Sequence, residues 1–226
     1  MIPVSNLLLS FVPVIVLAVV LIKWKLDWKE LVYASARMLT QLIAIGYLLA
    51  YIFEKNAPVW TLIILAFMLA VSSWISLYSI KEHRKKYLGI AFVSILMGAV
   101  PVLILVVGAI IPTESWYSPR FIIPLAGMIF SISMNSIGIA AERYLKEIQS
   151  QSDQEAKNAA LKAALIPQIN SFLAVGLVSL PGMMTGQILS GVDPLIAVRY
   201  QIVVMTMLIG AGGLSAAAFL QLKNKN

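Results

Sequence analysis

The chain contains no cysteine and one histidine among its 226 residues, and only 12% of the residues are charged. Without cysteine it has neither a disulfide framework nor a thiolate metal site. It also has no Gly-x-x-x-x-Gly-Lys-[Ser/Thr] phosphate loop, no His-Glu-x-x-His motif and no nucleophile elbow. We therefore expect no catalytic residues, no cofactor or metal bound by this chain, and no ATP hydrolysis by the chain itself.

Apolar side chains are abundant and make up 60% of the residues. A soluble domain carries about 45–50% apolar and about 25% charged residues, so this composition argues against a soluble enzyme, a nucleic-acid-binding module and a disordered chain. Lipid is the solvent that accepts such a sequence, and a spanning helix needs about 20 apolar residues. The bilayer is therefore the expected partner, and nucleic acid is not.

Charged residues divide the apolar sequence into seven runs, each long enough to cross a bilayer. None alternates in the manner of a barrel strand. The predicted fold class is all-α, a single transmembrane domain over residues 1–226. Its seven helices are expected at about 3–22, 31–53, 57–80, 88–112, 121–141, 165–190 and 195–221.

Lysine and arginine collect in alternate loops, which accounts for much of the net charge of +7. By the positive-inside rule these loops and the C-terminus are cytoplasmic, and the N-terminus is outside. Residues 142–162 form the one sizeable polar loop, expected as helical extensions around a turn at residues 149–153. We predict either a solvated connector or a docking surface there.

Two predicted spans carry polar residues that lipid does not favour. Arg37 lies two turns into the second span with Gln41 on the same face, and the pair is either an interface anchor that snorkels or a gate. In the fifth span, Ser131 and Ser136 can be explained by helix packing. Asn135 beside Met134 is harder to explain in that way, because a buried amide needs partners.

The sixth span contains the strongest helix-breaking signal of the sequence. Pro167 is expected to open it, and Pro181 lies in its middle, where proline removes a helical hydrogen bond. Gly182 follows and forms a Gly-x-x-x-Gly pair with Gly186, which would permit close helix approach. Two interpretations remain: a simple kink at a helix contact, or a gate or substrate site with Met183, Met184, Thr185 and Gln187 nearby.

The seventh span has a clear start and a packing face. Asp193 and Pro194 suit the cap and first turn of a helix. Residues 210–217 repeat small side chains at helical spacing, which predicts close packing between helices or subunits.

Several of these segments together resemble one family. Pro-Gly-Met-Met at residues 181–184, the Gly-x-Asp-Pro that ends at Pro194, and Arg199-Tyr-Gln are similar to the FetB-type (YbbM) permeases. Arg37 with Gln41, and Pro124 through Asn135, add weaker similarity. The family includes bacterial iron exporters and plant aluminium-tolerance relatives, and the resemblance extends over essentially the whole chain.

The resemblance implies a permease subunit of an ABC-type exporter in the bacterial inner membrane, for iron, another metal ion or a metal-related solute. A homodimer in the membrane would work with a cytoplasmic ABC ATPase subunit that carries ATP and Mg. On this basis Pro181 and Gly182 are the expected hinge. The expected pathway residues are Met134, Asn135, Asn170, Ser171, Met183, Met184 and Gln187.

Coupling to the ATPase would use residues of the loop between spans five and six, namely Glu147, Asp153, Glu155 and Lys157. In one respect the chain departs from the family, because residues 148–164 lack a Leu-Gly-Ala-Thr-Pro-like docking stretch. An ATP-independent channel, carrier or structural subunit is therefore the alternative function.

Overall fold

The computed structural model describes residues 3–55, 57–111 and 117–223. All regular elements in these ranges are helices. They are α1 (Val4–Leu9), α2 (Val12–Lys23), α3 (Trp28–Lys55), α4 (Pro58–Ser76), α5 (Arg84–Leu105), α6 (Pro119–Glu147), α7 (Asp153–Ala174), α8 (Gly182–Leu189) and α9 (Pro194–Leu222). A 3-10 turn (Tyr78–His83) precedes α5, and a π-helical turn (Val106–Ile110) follows it. The all-α prediction is confirmed.

The chain divides into two compact units, Met1–Lys55 and Asn56–Asn226. In the first, α1 ends at Ser10, whose hydroxyl donates to the Leu7 carbonyl, and α2 packs against α3. Lys25 between α2 and α3 has a positive φ of 59°. Asp27 then starts α3 by accepting from the backbone N–H of Lys29 at 3.0 Å, which supplies a partner for a first-turn amide.

In the second unit, α9 packs against α5, α6, α7 and α8, while α6 also packs against α4 and α7. Small residues permit this close packing. Gly98 of α5 lies directly against Ser215 of α9, and a Cβ added at Gly138 of α6 would lie 3.0 Å from the Ser76 carbonyl oxygen. The predicted small-residue face of the last span therefore packs between helices of one chain.

Six helical stretches in the described part are long and apolar enough to cross a membrane. They are Asn6–Lys23, Trp28–Leu49, Pro58–Ser76, Tyr78–Ile110, Pro119–Glu147 and Pro194–Leu222. These agree with six of the seven predicted spans, although the expected end of the fourth, at residue 112, lies outside the described residues. The orientation of the termini and the single domain stay predictions.

The predicted sixth span, 165–190, is not one continuous helix. α7 ends at Ala174, and the chain becomes helical again only at Gly182. Pro181 is therefore not a kink inside a helix but the residue that precedes α8. Pro167 does not open a helix either, since it lies inside α7, which begins fourteen residues earlier, within the predicted polar loop 142–162.

The helix ends of α7 and α9 follow the sequence signals. α6 continues to Glu147 and α7 starts at Asp153, so the expected extensions around a polar turn are confirmed. Ser152 and Glu155 form a reciprocal capping box at the start of α7. At α9, Asp193 accepts from the N–H groups of Leu195 and Ile196, and Pro194 occupies the first turn.

Candidate functional site

The segment that joins α7 to α8, residues 175–181, is hereafter the break segment. Gly176 adopts a positive φ of 84°, and its N–H donates to the Ser179 carbonyl at 3.0 Å. The N–H groups of Leu177, Val178 and Ser179 all turn back to the Ala174 carbonyl. The backbone thus leaves the helical path at a residue that tolerates a left-handed conformation without a Cβ clash.

α8 is bounded by a proline at its start and by a glycine-containing turn at its end. Pro181 precedes it in an extended conformation with no side-chain cap. Beyond the helix, the Gly191 N–H donates to the Ile188 carbonyl and the Val192 N–H to the Gln187 carbonyl. With Gly191 at φ 88°, this is a Schellman motif, which returns the chain toward Asp193 and α9.

A cavity of about 330 Å³ lies between the break segment and α9. We call it the break cavity. Mostly apolar side chains and glycine backbone line it, with Gln201 and Thr206 as the polar exceptions: Phe172, Val175, Gly176, Leu180, Pro181, Met184, Val198, Gln201, Ile202, Met205 and Thr206. Gln201 is 5% exposed, and its Oε1 has no hydrogen-bond partner.

The predicted sixth span would place the break segment within the bilayer, where non-helical backbone is tolerated only if it is buried in protein or lines a water-filled cavity. A buried amide oxygen without a donor costs about 1–3 kcal/mol. The break cavity therefore presents an unused acceptor beside the irregular backbone. This is an arrangement that a passing polar ligand or water can satisfy.

A second, more polar cavity of about 430 Å³ lies between the end of α4, the 3-10 turn after it, the second half of α6 and the middle of α7. We call it the amide cavity. Its lining combines amide, hydroxyl and carboxylate groups with apolar positions: Ile75, Ser76, Tyr78, Ser79, Ile132, Met134, Asn135, Ser136, Gly138, Ile139, Glu142, Ala164, Pro167 and Gln168. Asn135 is exposed to it and Met134 is half-buried.

Gln168 closes the inner side of the amide cavity. It is 6% exposed, and its Nε2 donates to the Ser136 hydroxyl oxygen at 2.5 Å. A Cβ added at Gly212 of α9 would lie 2.8 Å from both Gln168 Nε2 and Ser136 Oγ. Three helices thus meet at one buried amide, whose Oε1 has no partner.

The two cavities lie in sequence along α7. Gln168 lines the amide cavity, and Phe172, one turn later on the same helical face, lines the break cavity. One turn advances about 6 Å along a helix axis. Gln168, which contacts Ser136, is therefore the α7 residue of the amide cavity that lies nearest along the helix to the break cavity.

The structure distributes the predicted pathway residues unevenly. Met134 and Asn135 line the amide cavity, whereas Met184 and the predicted hinge residue Pro181 line the break cavity. The remaining ones line neither of these two cavities: Asn170, Ser171, Gly182, Met183 and Gln187. Gln187 does carry a buried Oε1 without a partner. Their roles in a pathway stay predictions.

Arg37 and Gln41 belong to α3 in the first unit. Arg37 is half-buried and Gln41 is exposed. Their role as gate or anchor also stays a prediction.

The residues expected to couple to a partner contact one another or their neighbours. Glu147 pairs with Arg143 at 2.6 Å, and Lys157 pairs with Asp153 at 2.8 Å. Both Glu147 and Lys157 are buried, at 9% and 8% exposure. Asp153 also accepts from the Tyr144 hydroxyl at 2.8 Å and from Lys223 Nζ at 3.4 Å. The α6–α7 turn is thereby fixed to the end of α9.

Two charged side chains at this end have shifted pKa values. Hydrogen bonds from the Ser152 hydroxyl and backbone lower the pKa of the Glu155 carboxyl. Burial lowers the pKa of the Lys223 ammonium, and the nearby Asp153 carboxylate opposes that shift. Both groups support the local geometry of the turn. Among the described residues, no cluster of three or more His, Cys, Asp or Glu side chains is arranged to hold a metal ion.

Gln168, Gln201 and Thr206 were not among the residues expected from sequence. Their spacing in the sequence does not distinguish a buried polar side chain from one at the surface of a helix. One sequence feature could have indicated that Gln168 faces another helix. It lies three residues before Ser171 and four after Ala164, so it shares a helical face with small and polar residues.

Comparison with known proteins identifies the family. The model of the uncharacterised protein family UPF0014 matches residues 4–226. A UPF0014 membrane protein of Synechocystis is 37% identical over 84% of this chain and 79% of its own length. The probable iron export permease protein FetB of Escherichia coli is 33% identical over 93% of this chain and 86% of its own length.

A plant relative shows similar agreement. The Arabidopsis thaliana protein ALUMINUM SENSITIVE 3 is 32% identical over 83% of this chain and 73% of its own length. No solved structure matches the chain. The FetB-type resemblance is therefore confirmed, and the chain is a multi-pass membrane protein that belongs to the UPF0014 family.

Proposed function

We propose that this chain is the membrane-spanning permease subunit of an ABC-type exporter for iron, another metal ion or a metal-related solute, driven by a separate ATPase subunit. The name of the Escherichia coli relative, which matches over most of both chains, supports export of iron. The name of the Arabidopsis relative points to the handling of another metal.

The observation that carries the proposal is the broken helix beside the mostly apolar break cavity, with the more polar amide cavity further along α7. Transport proteins use discontinuous helices because the freed backbone groups can face a substrate near the centre of the membrane. Here the break segment adjoins the break cavity, and α7 leads from there to the amide cavity. Such a path needs a gate, and Gln168, which contacts Ser136, is the α7 residue of the amide cavity nearest along the helix to the break cavity.

The donors along this path favour weak and transient binding. Amide oxygens (Asn135, Gln168, Gln201) and thioethers (Met134, Met184) can replace a few waters of a metal ion or of its complex. Hard divalent cations bind tightly where carboxylates collect, and Glu142 is the one carboxylate in the two linings. An exporter benefits from weak binding because the substrate must also leave.

Coupling would act through the α6–α7 turn. Asp153 connects Tyr144 of α6, Lys157 of α7 and Lys223 after α9, so a push on the turn reaches the helices that surround Gln168. The exposed positions at the turn include Gln149, Gln154 and Asn158. We propose these residues, together with Glu155, as the ATPase contact. The buried Glu147 and Lys157 would hold the turn in place through their ion pairs with Arg143 and Asp153.

The test is ATP-dependent metal export in proteoliposomes that contain the chain and a candidate ATPase from the same genome. Asn135→Ala and Gln168→Ala should reduce export at equal protein content. Thr40→Ala is the matched control, because its exposed hydroxyl bonds only the Ala36 carbonyl in its own helix, and export should persist.

Outcomes of this assay separate the two candidate functions. Flux that does not need ATP, or an ATPase that is neither recruited nor stimulated, would favour the channel or carrier and refute the ABC assignment. The shortened turn at residues 148–164 is the feature that favours this alternative. If transport depends on ATP but no metal ion of a tested panel is exported, the metal substrate is refuted and the ABC assignment is kept.

A further inference from the structure

Four cations lie just before α5 and in its first turn, at residues that line neither the break cavity nor the amide cavity, although the neighbouring Tyr78 lines the amide cavity. Residues 81–86, hereafter the basic segment, contain Lys81, Arg84, Lys85 and Lys86 but only one acid, Glu82. No ion pair involves any of these five residues in the part of the chain that the structure describes. The segment therefore keeps a net positive charge without an internal counterion.

The position of these cations on α5 is electrostatically unfavourable. Arg84, Lys85 and Lys86 occupy the first turn, which contains no acidic residue, and His83 provides no side-chain cap. A helix N-terminus already carries a partial positive charge from its unpaired N–H groups, so anions are stabilised there and cations are not. This arrangement predicts that an anion from outside the chain compensates the charge.

Arg84 shows where such an anion would bind. Its guanidinium carbon lies 4.6 Å from the centroid of the Trp74 ring and 5.6 Å from that of Tyr78. The two rings fix the guanidinium, yet its Nε and Nη2 are buried and have no acceptor. Arg84 as a residue is only half-buried, so a group from outside the chain can approach its guanidinium, and a phosphate oxygen is the acceptor that a guanidinium matches best.

The surroundings place this site at the edge of the apolar surface. Trp74 is 47% exposed and ends the apolar helix α4, and Tyr78 is 37% exposed just beyond it. Tryptophan and tyrosine favour the level of lipid headgroups. Lys81 Nζ lies 4.3 Å above the Tyr78 ring, so a second cation borders the same aromatic pair.

We propose that the basic segment binds the phosphate headgroup of an anionic phospholipid. Arg84 contacts the phosphate between Trp74 and Tyr78, the α5 N-terminus and Lys81 add charge, and the acyl chains lie along the apolar surface of α4. An acidic protein surface fits less well, because it would meet the exposed Lys85 and Lys86 but not the recessed guanidinium. The proposal does not depend on the proposed transport function.

The test measures lipid binding to the full chain in detergent by native mass spectrometry, with phosphatidylglycerol, phosphatidylcholine and inorganic phosphate as probes. The wild-type chain should retain phosphatidylglycerol over phosphatidylcholine. Arg84→Gln should weaken phosphatidylglycerol binding about fivefold, since one cation near an anionic surface contributes about that factor. Lys162→Gln, which removes an exposed lysine of α7, should change it little.

Each remaining outcome also decides the question. Equal losses in Arg84→Gln and Lys162→Gln would show a diffuse charge effect and overturn the site. Inorganic phosphate that displaces the lipid at millimolar concentration would assign the site to a free anion instead. Unchanged lipid affinity together with lost recruitment of an ATPase would assign the segment to a protein partner.

Because Arg84→Gln could unfold the chain, Lys81→Gln serves as a second variant. Its exposed side chain leaves the Trp74–Arg84 stack in place, and it should weaken phosphatidylglycerol binding with the same unfolding temperature as the wild type. A loss of binding only in variants that also lose thermal stability would overturn the proposal.

Discussion

Gly212 is a single residue on which the packing of α6, α7 and α9 depends. An added Cβ would lie 2.8 Å from Gln168 Nε2 and Ser136 Oγ, so Gly212→Ala must displace the buried hydrogen bond. We expect a loss of about 1–3 kcal/mol from this overpacking, measured by thermal unfolding in detergent. Gly89→Ala is the control, because no atom lies within 4 Å of its Cβ position. Equal effects of the two changes would contradict the packing.

For single residues, the sequence shows which polar side chains are unfavourable in lipid but not which side chains they contact. Asn135 beside Met134 was expected on a pathway because lipid disfavours an amide, and both side chains line a polar cavity. Gln168 and Gln201 are equally costly in lipid but lie in stretches dominated by stronger helix-breaking signals. Only the packing of α7 on α6 and α9 shows that Gln168 meets Ser136.

The break segment is an element whose shape depends on one backbone angle. Gly176 has a φ of 84° and no atom within 4 Å of its Cβ position, so an added methyl group meets strain but no neighbour. We expect Gly176→Ala to destabilise the segment by about 1–2 kcal/mol through the left-handed conformation alone. Hydrogen exchange over residues 175–181 measures it.

Gly182→Ala provides the matched comparison for that prediction. Gly182 also has open space around its Cβ position, but it starts α8 without a positive φ. Exchange in this variant should be unchanged or slower, since alanine favours a helix more than glycine does. Faster exchange in both variants would show that loss of glycine flexibility, and not the left-handed angle, causes the effect.

The capping box of α7 should respond to pH. The pKa of Glu155 is lowered in the folded chain by its hydrogen bonds with Ser152. Its charge therefore contributes stability that is fully present above the ordinary glutamate pKa and is lost as pH falls through the lowered value. Glu155→Gln keeps the hydrogen-bonding shape without the charge.

Amide exchange in the first turn of α7 measures this contribution as the difference between wild type and Glu155→Gln. The wild-type chain should be better protected at neutral pH, and the difference should disappear on acidification below the ordinary glutamate range. A difference that is constant with pH would mean that the carboxylate charge has no role in the cap.

Among the elements, the polar turn between α6 and α7 was predictable because capping residues act locally. The break was predictable only in part. Pro181 and Gly182 correctly indicated irregular backbone, but the helix ends earlier, at Ala174, since Gly176 turns the chain before the proline is reached. The predicted span 165–190 therefore corresponds to the second half of α7 and to the short helix α8, with the break segment between them.

For the whole molecule, the absence of cysteine permits a clean test of topology. Lys85→Cys and Ser150→Cys should react with a membrane-impermeant maleimide from the cytoplasmic side, because lysine-rich loops stay there. Pro3→Cys and Ser190→Cys should react only from outside. If Ser190→Cys reacts from the cytoplasm, α7 and α8 do not together cross the bilayer as the sixth span. If Pro3→Cys reacts from the cytoplasm, the expected odd number of spans is wrong.

α9 follows in the chain every helix against which it packs, and this order has a consequence for biosynthesis. The surfaces of α5, α6 and α7 that face α9 include Gly98, Ser136 and Gln168, which can be covered only after α9 itself has entered the bilayer. Until then these polar and small residues face lipid or an insertion factor. The helices of the second unit are thus expected to pack together only after α9 has been inserted. If the ribosome stalls within α9, we expect membrane proteases that degrade unassembled proteins to act on the nascent chain.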